Sequence, residues 1–326
     1  MTDIGASLEL ARLADELGYE RYWLAEHHNL PSVASPVPEV MIGHVAMETT
    51  RIRVGAGGIM LPNHAPLKVA ETFRVLEALH PGRIDLGIGR APGTDPVTAS
   101  ALRGPRGGTG AEDFPEQFGE LLAFSGDVFP EDHPFRSISA APEGVELPPI
   151  WLLGSSGYSA KADGEMGLGY AFASHFSPVD PAPLLHAYRE SFRPSDNFAE
   201  PHAILAAAVI CADTDERAEE LASSMGLAWV RMRTGKPGPL PSVEEAMAYP
   251  YTPNERRLLE NYRSMQIVGS VPSVQARLEE LAGRTAAGEI MVTTMVHDHA
   301  ERLRSYEKLA EAFGLRQAPV GQTARG

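Results

Sequence analysis

Apolar strand-like segments alternate with helical patterns along almost the whole chain, and this alternation constrains the fold more than any other feature. Most of these segments are apolar throughout, which is typical of parallel strands that are covered by helices on both faces. They are Tyr22–Ala25, Ile52–Ala56, Ile84–Ile88, Ile150–Leu153, Gly169–Ala173, Ile204–Ile210 and Glu289–Thr293. The pattern predicts an α/β fold, either a (β/α)8 TIM barrel or a doubly wound sheet.

Between these segments, apolar residues recur at helical spacing. The helical patterns are Ser7–Leu17, Pro66–Leu79, Glu112–Phe124, Ser159–Met166, Asp215–Met225, Ser273–Leu281 and Ala300–Phe313. A barrel needs eight strands, and this chain shows seven and begins on a helix. We therefore expect a single barrel domain over residues 1–315 that lacks its first β-strand, or a sequence that starts downstream of the natural start. Residues 316–326 are expected to form a polar tail.

Two stretches interrupt the alternation. Arg103–Gly110 is rich in Gly, Pro and Arg, and predicts a surface loop. Lys236–Pro253 is rich in proline and precedes the last strand. A structureless excursion of this length is typical either of a lid over an active site or of a tolerated surface insertion, and both interpretations stay open.

Composition limits the compartment and the partners. The single cysteine, Cys211, excludes an internal disulfide, and the N-terminus has no signal-peptide pattern, so we expect a cytoplasmic protein. The formal net charge of −15 argues against binding to nucleic acids or to anionic membranes, which need basic surfaces.

In a barrel, functional groups follow the carboxyl ends of the strands. His27 and His28 follow the first apolar run, and adjacent residues on an extended segment point to opposite sides. At most one of them therefore faces a barrel mouth directly, which disfavours a metal site built from both. A general base or hydrogen-bond donor needs only one imidazole, and structural histidines are the alternative.

Three further strand ends carry candidate binding groups. Gly154–Ser159 follows a strand and begins a helix, which suits either an anion site of backbone N–H groups or an ordinary N-capped turn. Arg90 suits a phosphate, or else pairs with Asp85 or Asp95. The Gly57-Gly58 pair indicates that something approaches the backbone closely, or that the dihedral angles are unusual.

Five motifs, in order, resemble the bacterial luciferase-like flavin-dependent monooxygenases, and the resemblance covers residues 7–315. The motifs are Tyr22–His28, Val54–Pro62, Gly82–Arg90, Gly154–Ser159 and Val268–Pro272. The similarity is greatest to single-chain members of the alkanal-monooxygenase-like group. It implies a TIM barrel that binds reduced FMN at the mouth formed by the carboxyl ends of the strands.

The resemblance also implies roles for residues. It makes His27 the more important catalytic residue, with His28 beside it, and places a non-proline cis peptide bond behind the flavin ring at Gly57-Gly58. It assigns the flavin phosphate to Arg90 and to the start of the helix that follows Gly154. The cofactor-binding candidates are therefore Gly57, Gly58, Arg90, Ser155, Ser156, Gly157, Tyr158 and Ser159.

The implied activity is that of a monooxygenase. Reduced FMN reacts with O₂ to give a flavin hydroperoxide, which oxidises a small organic substrate. The chain shows no nicotinamide-binding pattern, so a separate flavin reductase is expected to supply reduced FMN. A homodimer is expected by resemblance. The alternatives are an F420-dependent oxidoreductase on the same barrel and a non-catalytic flavin-binding subunit.

Overall fold

A computed structural model describes residues 4–103, 113–126, 129–155 and 160–315. The strands are β1 (Arg21–Leu24), β2 (Arg53–Ala56), β3 (Ile59–Met60), β4 (Ile84–Gly89), β5 (Ile150–Gly154), β6 (Gly169–Ala173), β7 (Ala203–Ala212), β8 (Gln266–Ser270) and β9 (Glu289–Thr293). The α-helices are α1 (Ile4–Leu17), α2 (Pro38–Glu48), α3 (Pro66–Leu79), α4 (Pro96–Arg103), α5 (Phe114–Gly126), α6 (Ala160–Glu165), α7 (Ala182–Ser191), α8 (Asp215–Arg233), α9 (Val243–Ala248), α10 (Pro253–Arg263), α11 (Val271–Thr285) and α12 (His299–Ala312).

All paired strands are parallel, and helices connect them. The strand order is β1-β2-β4-β5-β6-β7-β8, with β3 beside β4 and β9 beside β7. The first half of β7 pairs with β9 and the second half with β8. This arrangement confirms the prediction of an α/β barrel, since the parallel strands follow one another round the sheet in chain order, whereas a doubly wound sheet reverses its order at a switch point.

The continuous apolar runs form the core, as their composition predicts. Every residue of β4 is buried, and β7 is buried over nearly its whole length. Helix α3 begins with Pro66 in its first turn and ends before His80, whose N–H donates to the Leu76 carbonyl at 2.9 Å. The buried side of α3 packs Val69 and Phe73 into the main core cluster. The bounds predicted for this helix are therefore confirmed.

The barrel wall is open between β1 and β9. Within the described ranges, β1 pairs only with β2, and β9 pairs only with β7. The two edges are linked near their starts by an ion pair between Arg21 Nε and Glu289 Oε2 at 2.9 Å. In the described part of the chain, β1 and β9 therefore each have one edge without a backbone partner.

Several elements differ from the prediction. The sequence did not predict β3, β8, α2, α4, α7, α9 or α10, and α8 extends eight residues beyond the predicted end at Met225. The Lys236–Pro253 stretch contains α9, which packs on α8, so the prediction that it is structureless is wrong. Of the predicted loop Arg103–Gly110, Arg103 ends α4 and the other residues lie outside the described ranges. None of the helices in the described part of the chain combines the length and apolarity that a membrane crossing requires.

Candidate active site

A cavity of about 980 Å³ lies at the carboxyl ends of the strands and continues into the open wall between β1 and β9. At the mouth, five different strand ends contribute lining residues. These are His27, Gly57, Arg90, Ser155 and His175. Deeper in the cavity, the backbone edges of β1 and β9 form the walls. The volume is in the range of cofactor-sized pockets.

The two adjacent histidines have different surroundings. His27 lines the cavity, and its Nδ1 lies 3.2 Å from the carbonyl oxygen of Gly93. Because a carbonyl oxygen only accepts, Nδ1 carries the hydrogen and Nε2 of the neutral ring is left as an acceptor. His28 does not line the cavity, and its Nε2 lies 2.9 Å from Oε1 of Glu26. The structure thus brings His27, but not His28, to the cavity, as the alternation predicted.

Glu26 is a buried anchor that the sequence-based prediction did not single out. Its carboxylate is fully buried and accepts hydrogen bonds from His28, from His64 (2.9 Å to Oε2) and from the Met60 N–H (2.8 Å). The Asn63 amide adds a longer bond of 3.3 Å. The only indication in the sequence is the position of Glu26 beside the two histidines at a strand exit.

The pKa shifts in this cluster agree with a charged carboxylate. Burial alone would raise the pKa of Glu26, but hydrogen bonds from His64 and His28 lower it below its usual value. Burial opposes a charge on His64, yet the hydrogen bond and charge of Glu26 raise the pKa of that imidazole. Both shifts describe one ion pair that fixes the exit of β1 against the segment after β3.

The Gly57-Gly58 peptide bond is cis, as the resemblance implies, and Gly57 lines the cavity. A Cβ atom on Gly58 would lie 2.8 Å from the carbonyl oxygen of Gly87, so only glycine fits there. Gly93, with φ of 66°, would place a Cβ 2.7 Å from the Glu26 carbonyl. The predicted close backbone approach is therefore confirmed at Gly58.

Arg90 and Ser155 lie at neighbouring strand ends. Arg90 follows β4 and Ser155 follows β5, and these strands pair directly, with Ile88 opposite Leu152. Both side chains are exposed and line the cavity. Of the two acids considered as partners of Arg90, Asp85 binds Arg21 and Arg53, and Asp95 binds Asn29 and Thr98. The remaining candidates, Ser156, Gly157, Tyr158 and Ser159, lie outside the described residues.

His175 belongs to none of the motifs described from the sequence, and the structure places it in the cavity. It lies just after β6 and lines the mouth. Burial is the main reason that the pKa of His175 is lowered to about 4; the backbone of Ala206 opposes this shift and His27 adds to it. His175 therefore has no charge at neutral pH.

These residues fit FMN. A phosphate needs a cation at the mouth, which Arg90 supplies, and a planar ring needs a wall without side chains, which Gly57 supplies. The rest of the cavity is mainly apolar, with Trp23, Leu153 and Met291 among its lining residues. Within the described ranges, no group of three or more His, Cys, Asp or Glu residues is arranged to hold a metal ion.

Comparisons with known proteins agree with this geometry. A family model described as luciferase-like monooxygenase matches residues 2–323. The chain is 44% identical over 301 residues to a protein of Escherichia coli (strain K12) named luciferase-like monooxygenase, covering 92% of this chain and 88% of that protein. It is 34% identical over 308 residues to N-acetyl-S-alkylcysteine monooxygenase of Bacillus subtilis (strain 168), covering 94% and 91%.

Solved structures share the fold. Apo-MsnO8 has a TM-score of 0.84 and 38% identity, with 96% of this chain and 93% of that chain covered. The oxygenating constituent of 3,6-diketocamphane monooxygenase from Pseudomonas putida, in complex with FMN, has a TM-score of 0.66 and 21% identity, covering 95% and 92%. An F420-dependent secondary alcohol dehydrogenase has a TM-score of 0.66 and 13% identity, covering 95% and 94%. At these identities the last two show the fold alone.

Proposed function

The chain belongs to the luciferase-like monooxygenase family, and from this premise we propose that it is a flavin-dependent monooxygenase that uses reduced FMN and O₂ to oxidise a small organic substrate. The observation that carries the proposal is the convergence of His27, Gly57 of the cis peptide bond and Arg90 on one cavity of about 980 Å³. In a cofactor enzyme the protein binds and orients the cofactor and supplies the electrostatics of the site. A cation, a flat backbone wall and an imidazole can meet these needs for a flavin.

Each group has a separate task in this proposal. Arg90 and the Ser155 hydroxyl bind the phosphate, and the Gly57-Gly58 backbone supports the flavin ring. When bound, reduced FMN supplies the electrons that activate O₂. His27 presents Nε2 to the reacting region and accepts or holds a proton there, while Gly93 fixes its ring. The apolar walls exclude water.

His28 has a positioning role in this scheme. Its ring contacts Glu26 and not the cavity, so it acts on His27 only through the shared backbone. No described residue of Lys236–Pro253 lines the cavity, so the geometry offers no support for a lid there. We propose that a separate flavin reductase supplies reduced FMN, and that the substrate is a small molecule with a largely apolar body, since the cavity walls are mainly apolar.

We also propose a homodimer, with the outer faces of α2 and α3 as the interface. Large apolar side chains are exposed on both helices: Val40 and Met47 on α2, and Val75 and Leu79 on α3. The helices lie side by side, because a Cβ on Gly43 would lie 3.4 Å from Leu76. Several exposed apolar side chains on two adjacent helices are typical of a protein interface, and a second copy of the chain presents the same face for an isologous contact.

The cofactor assignment is tested by titrating the purified protein with FMN and, in parallel, with F420. We expect FMN to bind more tightly, and we expect Arg90→Met to weaken FMN binding about tenfold or more, because a charge-assisted contact to the phosphate is lost. Arg256→Met, an exposed arginine on α10, is the matched control and should bind as wild type does. Preferential binding of F420 would favour the F420-dependent alternative.

The catalytic assignment is tested with a flavin reductase, NADH, FMN and ¹⁸O₂. The substrate panel contains n-alkanals and N-acetyl-S-alkylcysteines, the latter because one relative is named for them. We expect ¹⁸O in an organic product with wild type, a loss of about 100-fold or more in His27→Ala, and a smaller loss in His28→Ala. If peroxide is the only product and its release is the same in His27→Ala, the catalytic role of His27 is refuted.

A further inference from the structure

His175 offers a polar atom to the cavity that the roles described so far do not use. It follows β6, whereas His27 follows β1, and both line the same mouth. The two imidazoles are close enough for the charge of one to affect the other. The cavity mouth thus contains two histidines from different strand ends.

The two nitrogens of His175 lie in different environments. Nδ1 is buried and makes no short, well-aligned hydrogen bond within the described ranges. The ring as a whole is only partly buried and lines the cavity, so with Nδ1 buried, Nε2 is the nitrogen that a ligand in the cavity reaches. The backbone of Ala206 on β7 interacts with the ring and favours its protonated form, which identifies the carbonyl oxygen as the group involved, since only an acceptor stabilises an added N–H. An imidazole that turns Nδ1–H towards a backbone carbonyl leaves Nε2 with a free lone pair.

The surroundings also select what this nitrogen can bind. Burial and the nearby His27 both disfavour a positive charge on His175. An uncharged imidazole does not attract a carboxylate or a phosphate, but it hydrogen-bonds a neutral N–H, O–H or C=O group. The polar edge of a flavin ring consists of such groups, whereas the anionic phosphate is matched by Arg90.

We propose that His175 is a cofactor-binding residue, which hydrogen-bonds the polar edge of the flavin ring as an uncharged imidazole. The order of the strand ends supports this assignment. Ser155, in the proposed phosphate site, follows β5, and β6 is the next strand in the sheet, with Gly154 opposite Phe172. A flavin whose phosphate lies at the ends of β4 and β5 therefore has His175 beside it. The inference rests on the proposed FMN-dependent function.

The experiment compares FMN binding in wild type, His175→Phe and His175→Gln, with His186→Phe on α7 as the matched control. His186 is exposed and lies outside the cavity lining. We expect His175→Phe to raise the FMN dissociation constant about tenfold, which corresponds to about 1.4 kcal/mol. His175→Gln should show a smaller increase, since its amide keeps a hydrogen-bonding group near the position of Nε2. His186→Phe should bind as wild type.

Histidine ¹⁵N NMR supplies a measurement that does not depend on activity. The His175 signals are identified by their absence in His175→Phe, and we expect FMN to shift the Nε2 resonance while the His186 signals stay unchanged. If His175→Phe fails to fold, as judged by circular dichroism, His175→Gln and the wild-type spectrum decide the question. An Nε2 resonance that FMN does not move, with FMN binding in the variants within twofold of wild type, would overturn the proposal.

The failure of this inference is distinguishable from failure of the proposed function. Wild-type protein that does not bind FMN contradicts the proposed cofactor itself. Wild-type protein that binds FMN through Arg90, as shown by weaker binding in Arg90→Met, but is indifferent to His175, contradicts only the role of His175.

Discussion

Glu26 shows how one buried residue determines the geometry of the site. Its carboxylate connects the strand exit that carries His27 to the Met60 N–H and to His64 on the segment after β3. Sequence alternation was sufficient to predict that only one of the adjacent histidines faces the mouth. The contact between Glu26 and His64 was not predictable, because it joins residues 38 positions apart and depends on how two loops pack.

We predict that Glu26→Gln lowers the free energy of unfolding by about 2 kcal/mol at pH 5.5, since charge-assisted hydrogen bonds to a buried acceptor are lost. The pKa of His64 should fall, because the carboxylate that raises it is gone. Urea denaturation and NMR titration of the histidines measure the two effects. Glu16→Gln, an exposed residue of α1, is the matched control and should change stability by less than about 0.5 kcal/mol.

The effect of Glu26→Gln should depend on pH in a definite direction. His64 has a raised pKa in the folded state, so its contribution is complete below the unfolded value of about 6.5 and is lost as pH rises through the folded value. Glu26 has a lowered pKa, so its contribution is present above about pH 4.3 and is lost on acidification. The difference from wild type should be larger at pH 5.5 than at pH 8.5. An equal difference at both values would contradict an ionic His64–Glu26 pair.

At the scale of secondary-structure elements, the buried strands and several long amphipathic helices were predictable, whereas α2 was not. Helix α2 buries Ile42 and Val45 but exposes Val40 and Met47, so apolar residues surround its axis and no amphipathic stripe is visible. Strand β8 was missed because it ends in a glycine and a serine, residue types that are typical of turns. The exposed apolar residues that prevented the prediction of α2 from its sequence are the same residues that indicate an interface.

We predict that Met47→Glu converts a dimer into a monomer. The substitution places a charge in the exposed apolar face of α2 and α3, where a second copy would bury it without a partner. Light scattering after gel filtration measures the mass across a range of concentrations. The matched control is Met247→Glu on α9, since Met247 is 64% exposed and Met47 is 72% exposed. A dimer that survives Met47→Glu, or dissociates equally in Met247→Glu, would place the interface elsewhere.

Across the whole molecule, one network of charges connects the two sides of the open wall. Arg21 on β1 donates to Asp85 on β4 and to Glu289 on β9, at 2.7 and 2.9 Å. Asp85 is fully buried, and Arg53 and the Trp23 indole N–H complete its partners. Because β1 and β9 share no backbone pairing within the described ranges, side-chain contacts such as this ion pair hold the edges together.

We predict that Arg21→Met lowers the free energy of unfolding by about 3 kcal/mol, because it leaves the buried Asp85 short of one partner and releases Glu289. Glu289→Gln should lower the free energy of unfolding by about 1 kcal/mol, because it removes the charge that contacts both Arg21 and His202, the latter at 3.3 Å. If the pair links the two edges, the double variant should lose about 1–2 kcal/mol less than the sum of the single variants. Urea denaturation of the four proteins gives this coupling energy.

A second double-mutant cycle, which serves as the control, combines Glu289→Gln with Arg263→Met. Arg263 of α10 forms its ion pair with Glu219 of α8. The changes in the free energy of unfolding should therefore be additive within about 0.5 kcal/mol. The link between β1 and β9 predicts a clear difference between the two cycles, because Arg21 contacts Glu289, whereas the ion pair of Arg263 is with Glu219. Hydrogen exchange gives an independent measurement. Release of the edges should raise the exchange rates of the β1 and β9 amides in Arg21→Met before those of β4, which lies in the middle of the sheet. A coupling energy below about 0.5 kcal/mol, with uniform exchange across the sheet, would mean that the wall is held by its helices and not by this ion pair.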